Sequence, residues 1–365
     1  MKTKKNSSMP RNIAFIGPIP PPVGGVALAN LRVQELVRTH HPKDVILTLN
    51  TSKGLTNADL YKKKGIGELL HFIKNIFQLI RFIAKNRIDV SNVFVVPNIS
   101  FLREMIFICI LKLTTKKLVV HLHAKTEGDY FLSGFKLKIF TKVVGLGDII
   151  FVLSEKFHKQ FYSQFIDEKK LIVLENFVNY RNFDTNISDK TNDFLYVGRL
   201  SEKKGFLDLV EAVILIKDEV KNLTIHVLGA YENETFKTLI ETKIKRNQLN
   251  NFKFYGAKTG AEKFEFFKKN SVFVFPSYFE NSPIVLKEAI AAKMAILSSD
   301  IIENKNILDP FSIKEYFKTR NIQDLAEKIK KLHNHKELVT SYMNNAEKVT
   351  HFGYDYAGKI IKKHL

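Results

Sequence analysis

Phe275-Pro276-Ser277-Tyr278-Phe279-Glu280-Asn281-Ser282-Pro283-Ile284-Val285-Leu286-Lys287-Glu288-Ala289 is the stretch on which the fold turns. A short apolar run, Val272 to Phe275, stops at Pro276. A polar turn follows, and a helix is expected to open near Pro283, because a first-turn N–H has no intrahelical partner to lose. Glu280 falls in the loop before that helix, and Glu288 falls about a turn and a half inside it. The amides and the positive dipole end between the two carboxylates favour a bound anion. One carboxylate is then placed to hold a sugar-like hydroxyl beside a phosphate, and the other to hold a second hydroxyl. That arrangement suits a nucleotide-sugar. Acidic residues near helix starts are common, so the spacing acquires meaning only from the motifs around it.

Working outward, apolar runs of strand length alternate with helical periodicity. In the first half the runs are Asn12 to Gly17, Val45 to Leu49, Val93 to Val96, Leu118 to Leu122, Ile149 to Leu153 and Leu171 to Leu174. Helical patterns separate them, among them Ala27 to Thr39 and the broad apolar face of Ile66 to Asn86. The pattern lapses into Asn, Asp, Thr and Ser from Phe177 to Asn192, which reads as a linker. It then restarts with Phe194 to Val197, Leu223 to Leu228, Phe252 to Tyr255, Val272 to Phe275 and Ala295 to Ser298, again separated by helices. Such alternation predicts parallel sheets covered by helices on both faces. The expected class is α/β, with two Rossmann-like doubly wound domains facing a central cleft, since such sheets bind ligands at their strand C-termini. The expected divisions are 1–180, 181–345, and a C-terminal helix over 346–365 that packs back on the first domain.

The 365 residues suffice for two domains. A composition of 45% hydrophobic and 26% charged residues excludes fibrous and broadly disordered classes. The single cysteine, Cys109, lies in an apolar run and is expected to be a buried core thiol. No secretory signal is read at the start, and no apolar run reaches the ~18 residues of a membrane span. A cytoplasmic protein, peripheral at the inner face of the plasma membrane, is expected. The net charge of +20 suggests an anionic membrane surface or anionic substrates rather than nucleic acid, for which no recognised module is present. The basic, aromatic-rich segment Ile66 to Asn86 is where membrane contact would be sought, although its apolar face serves equally to pack a core.

Three further segments carry chemistry. Val197-Gly198-Arg199-Leu200-Ser201-Glu202-Lys203-Lys204-Gly205-Phe206 ends a strand, passes through a basic loop and opens a helix. Arg199 can fork onto a phosphate, and a lysine adds a compact charge. Pro20-Pro21-Pro22-Val23-Gly24-Gly25 also joins a strand to a helix; its paired glycines let backbone approach a ligand. This is not the G-x-G-x-x-G dinucleotide fingerprint. His121 and His123 lie on one face of a strand with no third metal ligand at fitting spacing. His121 reads as a packed core histidine, and His123 as a residue of the strand end.

Together these motifs resemble family 4 of the GT-B glycosyltransferases, the retaining group with two Rossmann-like domains. The quoted stretch is similar to its E-x7-E element, and the 198–205 loop to its G-R-L-x-x-x-K-G element. The resemblance implies that Arg199 and Lys204 hold the donor diphosphate, with Lys203 the competing lysine. It implies that Glu280 orients the donor sugar and Glu288 the ribose. It further implies that Gly24 and Gly25 form the glycine loop over the donor phosphate, and that His123 contacts the donor sugar. Pro283 has no N–H, so the helix contacts to phosphate fall to Ile284 and Val285. The chain departs from the family at Lys293, which replaces a turn glycine, and over Ile301 to Lys318. The implied donor is a UDP- or GDP-sugar, and the implied acceptor a bacterial surface glycan or lipid-linked glycan. No cofactor is expected. No D-x-D cluster stands out, so transfer without a metal is expected, cationic side chains balancing the leaving group. Two alternatives stay open at this point: a nucleotide-sugar epimerase of the same fold, and a non-enzymatic basic protein at a membrane or on nucleic acid.

Overall fold

The structure is a computed structural model that describes residues 9–20, 24–52, 66–95, 101–123, 134–155, 159–346 and 353–365. The chain divides into two compact units. One runs up to Glu175 and takes in Asp355–Leu365; the other spans Asn176–Tyr354.

The first unit is built on a six-stranded parallel sheet: β1 (Asn12–Gly17), β2 (Val45–Asn50), β3 (Val90–Val95), β4 (Lys117–Leu122), β5 (Ile149–Val152) and β6 (Leu171–Val173). Their spatial order is β2-β1-β3-β4-β5-β6. The helices are α1 (Gly25–His40), α2 (Ile66–Lys85), α3 (Phe101–Thr114), α4 (Gly134–Val144) and the short α5 (Gln160–Tyr162). β3 is buried along its whole length, its polar Ser91 and Asn92 included, whereas the edge strand β2 is partly exposed throughout. The core gathers Ala14 and Ile16 of β1, Val93 and Val95 of β3, Val120 of β4, and Phe107 and Leu111 of α3.

The second unit repeats the scheme with β7 (Thr191–Val197), β8 (Ile225–Leu228), β9 (Phe252–Phe254), β10 (Asn270–Phe275), β11 (Ala295–Ser299) and β12 (Lys314–Phe317). Their order is β12-β11-β10-β7-β8-β9, all parallel. The helices are α6 (Phe206–Ile216), α7 (Glu234–Arg246), α8 (Gly260–Lys269), α9 (Ile284–Ala291), α10 (Ile302–Leu308), α11 (Ile322–Asn334) and α12 (Lys336–Ala346). The last helix, α13 (Tyr354–His364), returns almost wholly to the first unit. There Lys117 Nζ of β4 donates to His364 O at 2.8 Å, and the Arg11 guanidinium donates to Leu365 O. Arg11 also binds Asp44 through its backbone N–H, Nε and Nη2, which ties β1 to the start of β2.

Order in each sheet reverses at one place. From β1 the chain moves outward to β2 and then crosses to β3 on the other side. From β7 it moves to β8 and β9, then crosses to β10. These switch points, β1/β3 and β7/β10, are where loops diverge and leave room for a ligand at the strand C-termini.

One expectation is corrected. Cys109 is exposed on α3 rather than buried, because that helix carries apolar residues on its solvent face as well as on its core face. The unassigned segment after Asp300 contains α10 and β12, and β12 pairs with β11 from Ile296↔Lys314 to Ser299↔Phe317. No described helix is long and apolar enough to cross a membrane.

Candidate active site

At the switch point of the second unit, β7 and β10 lie side by side, so the loops that follow them, 198–205 and 276–283, are neighbours. Backbone contacts lock them together. Tyr278 N donates to Lys203 O at 3.1 Å. Gly205 sits at φ 65° directly against Pro276; a Cβ there would stand 2.0 Å from the Pro276 carbonyl oxygen. Only glycine meets both demands, the left-handed backbone and the missing side chain.

Across this junction Lys204 Nζ donates to Glu280 Oε1 at 2.6 Å. Glu280 is 12% exposed and Lys204 34%, so the pair is half-sheltered and open to one side. Arg199 is exposed on the same loop, and its carbonyl accepts from Tyr196 Oη at 2.8 Å. Burial pushes the Tyr196 hydroxyl pKa up; Glu280 adds to the rise and Arg199 opposes it, which sets both charges near that one hydroxyl. Glu280, Lys204 and Arg199 thus share one neighbourhood.

α9 opens at Ile284 with Pro283 as its N-cap in extended conformation and no side-chain cap. Pro283 therefore stands one place before the first turn rather than within it. The first-turn amides of Ile284 and Val285 have no intrahelical acceptor, and the dipole adds positive potential there. Lys287, fully buried, donates to Asn176 O at 2.9 Å, and Asn176 Nδ2 donates to Ser282 O at 2.9 Å. The opening of the second unit is thereby pinned to the loop and helix that carry the two acids.

Glu288 is fully buried and turned to α8, where Lys263 Nζ donates to both of its oxygens at 2.7 and 2.8 Å. Nothing in the sequence flags Lys263, which lies far from Glu288 along the chain. Two more supports escaped notice. The Tyr278 hydroxyl is hydrogen-bonded to Asp208, a carboxyl whose pKa burial raises, with the Tyr278 bond and the Arg320 charge opposing. The Arg320 guanidinium lies 4.7 Å from the Tyr278 ring centre. An aromatic hydroxyl inside a polar turn was the one available signal for this brace.

In the first unit, Gly24 caps α1 in extended conformation and Gly25 begins it. Among the described residues nothing lies within 4 Å of a Cβ built on either glycine. His123 directly follows β4, 9% exposed, its ring stacked on Phe94 at 5.8 Å. His121 is enclosed, stacked on Phe94 at 4.2 Å and bonded to Asn92 at 3.0 Å, and burial holds its pKa well below the usual histidine range. It is a neutral core residue. Among the described residues no three His, Cys, Asp or Glu side chains converge as metal ligands.

Residues 180–349 match the family described as Glycosyl transferases group 1. The second unit thus carries a group 1 glycosyltransferase domain, and the chain is a glycosyltransferase. Among its relatives is the capsular polysaccharide biosynthesis glycosyltransferase CapH of Staphylococcus aureus, 24% identical over 313 residues that cover 82% of this chain and 83% of CapH. CapM of the same organism is 25% identical over 55% of this chain and 56% of its own. Of solved structures, Anabaena Alr3699/HepE in complex with UDP-glucose superposes with a TM-score of 0.72, at 15% identity over 96% of this chain and 98% of that one. WaaG, a glycosyltransferase of lipopolysaccharide biosynthesis, superposes at 0.63, with 15% identity over 96% and 99%. The chain has the GT-B fold, two parallel six-stranded sheets with alternating helices.

Proposed function

We propose that this enzyme is a retaining, metal-independent family 4 glycosyltransferase. It moves a sugar from a nucleotide-sugar, UDP- or GDP-linked, to a bacterial surface glycan or lipid-linked glycan, and works peripherally at the inner face of the plasma membrane. The observation that carries the proposal is the Lys204–Glu280 pair at the β7/β10 switch point, beside the N-terminus of α9. Cation, carboxylate and helix amides stand together there, which is what a sugar pyrophosphate requires.

The chemistry follows from charge. Breaking the sugar–phosphate bond leaves negative charge on the pyrophosphate. Arg199, Lys204 and the amides of Ile284 and Val285 balance that charge as it develops, without reorganising. Lys204 exchanges Glu280 for phosphate oxygen, and Glu280 then accepts from hydroxyls of the donor sugar. Glu288, held at both oxygens by Lys263, is the candidate for the ribose hydroxyls. His123 and the Gly24–Gly25 step are the first unit's candidates for meeting substrate. Support for the acceptor class comes from CapH and CapM, both named for capsular polysaccharide biosynthesis. Support for the donor comes from the HepE structures, which hold UDP and UDP-glucose.

The test is incubation with UDP-, GDP- and ADP-sugars, with and without lipid-linked acceptor, followed by assay of nucleotide release and of the anomeric configuration of the product. Release that depends on acceptor, with retained configuration and undiminished by chelator, is expected. Isomerised donor without acceptor would overturn the proposal.

A further inference from the structure

Lys204 is not the sole restraint on the loop that carries Glu280. Ser299 Oγ, at the end of β11, donates to Ser277 O at 2.6 Å. Ser277 Oγ donates onward to Phe279 O at 3.1 Å. Between these two residues Tyr278 is gripped by its side chain. Its hydroxyl is bonded to Asp208, a buried carboxyl in the first turn of α6, and the Arg320 guanidinium lies 4.7 Å from its ring centre. A cation so placed is attracted to the ring face.

Arg320 is held there under strain. Its backbone is left-handed, φ 65°, which a residue with a Cβ keeps only where its surroundings over-determine it. The turn between β12 and α11 supplies such surroundings. Thr319 N and Thr319 Oγ1 both donate to Asp300 Oδ1, at 2.9 and 2.7 Å. Lys318 N donates to Asp324 Oδ2 at 2.6 Å, and Asn321 N to Lys318 O at 2.9 Å. Asn321 then caps α11, its Oδ1 accepting from Asp324 N at 3.0 Å. The residues on either side of Arg320 are thus fastened. Glycine would relieve the backbone at this place but would deliver no side chain to Tyr278.

We propose that Arg320 is a positioning residue for sugar transfer: with Asp208 it clamps Tyr278 and keeps Glu280 aimed at the donor once Lys204 has turned away. The need arises from the proposed function, on which this inference rests. Lys204 releases Glu280 to meet phosphate, so the 2.6 Å tether is lost when Glu280 is required. Tyr278 stands two places before Glu280, and its grip by Asp208 and Arg320 does not depend on Lys204. The clamp therefore survives the exchange and limits the drift of the carboxylate. Misplacement by about 1 Å is enough to lower a rate by about 100-fold.

Arg320→Gly removes the side chain and the strain together, so it should not lower the urea midpoint. On UDP- or GDP-sugar with lipid-linked acceptor it should lower kcat by about 10- to 100-fold while KM for the donor stays within about twofold. Arg320→Lys keeps the charge and should recover part of the loss. The chain contains no tryptophan, so Phe279→Trp, at a position already 43% exposed, sets a unique reporter beside Glu280. Its emission anisotropy should stay high when Lys204→Ala is added, and should fall when Arg320→Gly joins that pair. No donor is needed for this measurement. Equal anisotropy with and without Arg320, a kcat that falls only in step with the urea midpoint, or a raised donor KM at unchanged kcat would each overturn the clamp. If the native chain turns over no nucleotide-sugar while the reporter responds to Arg320, the transfer reading fails and the grip on the loop stands. If turnover occurs and the reporter ignores Arg320, the clamp fails alone.

Discussion

One ammonium, that of Lys263, donates to both carboxylate oxygens of Glu288, with Glu288 fully enclosed and Lys263 nearly so. An ion pair taken out of water is tolerated because each partner satisfies the other; removing one leaves a stranded charge. Lys263→Met should cost about 3–5 kcal/mol, read as a lower urea midpoint. The double variant Lys263→Met with Glu288→Met should recover most of that loss. Recovery would show that the pair, and not the packing of the lysine stem, holds α8 to α9.

Glu280 and Lys204 predict separable kinetic losses. Glu280→Gln keeps the shape of the side chain but removes its charge. It should lower kcat by about 100-fold, the scale of deleting one transition-state electrostatic contact, while the fold is retained by circular dichroism. Lys204→Ala should weaken UDP binding by about 10- to 100-fold, as expected for a lost hydrogen bond to a charged group, read by calorimetry. Full turnover in Glu280→Gln would remove that residue from the site.

Lys293 ends α9 in left-handed backbone, φ 55°, where glycine is the ordinary choice, and it adds a like charge beside the buried Lys190. Its Nζ donates to Thr185 O at 3.1 Å, a partial offset. Lys293→Gly should stabilise the protein by up to about 1 kcal/mol, the order of the left-handed penalty for a residue with a Cβ less the entropy glycine brings. Gly205→Ala should do the reverse, because its Cβ meets the Pro276 carbonyl oxygen. Urea midpoints of the two variants should move in opposite directions.

Glu104, on α3, is buried with one carboxylate oxygen lacking a hydrogen-bond partner, and burial pushes its pKa up to about 7 against the pull of Arg103. A carboxyl whose folded pKa lies above its unfolded value binds more protons when folded. Stability from this group is full below about 4.5 and is lost as pH rises through about 7, by as much as about 3 kcal/mol. Glu104→Gln should flatten stability across that window and should be the more stable form at pH 8, measured by urea unfolding at each pH.

Much of the architecture was legible because parallel strands buried on both faces read as short apolar runs. β7 and β10 ended where the runs Phe194 to Val197 and Val272 to Phe275 ended, and α2 covered nearly the whole of Ile66 to Asn86. Legibility failed where signals depend on tertiary neighbours. β12, Lys-Glu-Tyr-Phe, is an edge strand too polar to announce itself, and α10 carries Glu303, Asn304 and Lys305 in its middle. Cys109 misled because an apolar neighbourhood along the chain is not burial in space. The 198–205 and 276–283 loops were singled out by residue type. Their stitching through Gly205 and Pro276 and the Lys263 grip on Glu288 belong to pairings that no local pattern encodes.

The return of α13 to the first unit has a consequence for biogenesis. Arg11 and Lys117 donate to the carbonyls of Leu365 and His364, 354 and 247 residues further along the chain. During translation the leading half of the chain must wait, its closing helix still unmade, until every strand of the trailing half has left the ribosome. The half that emerges first is thus the half completed last.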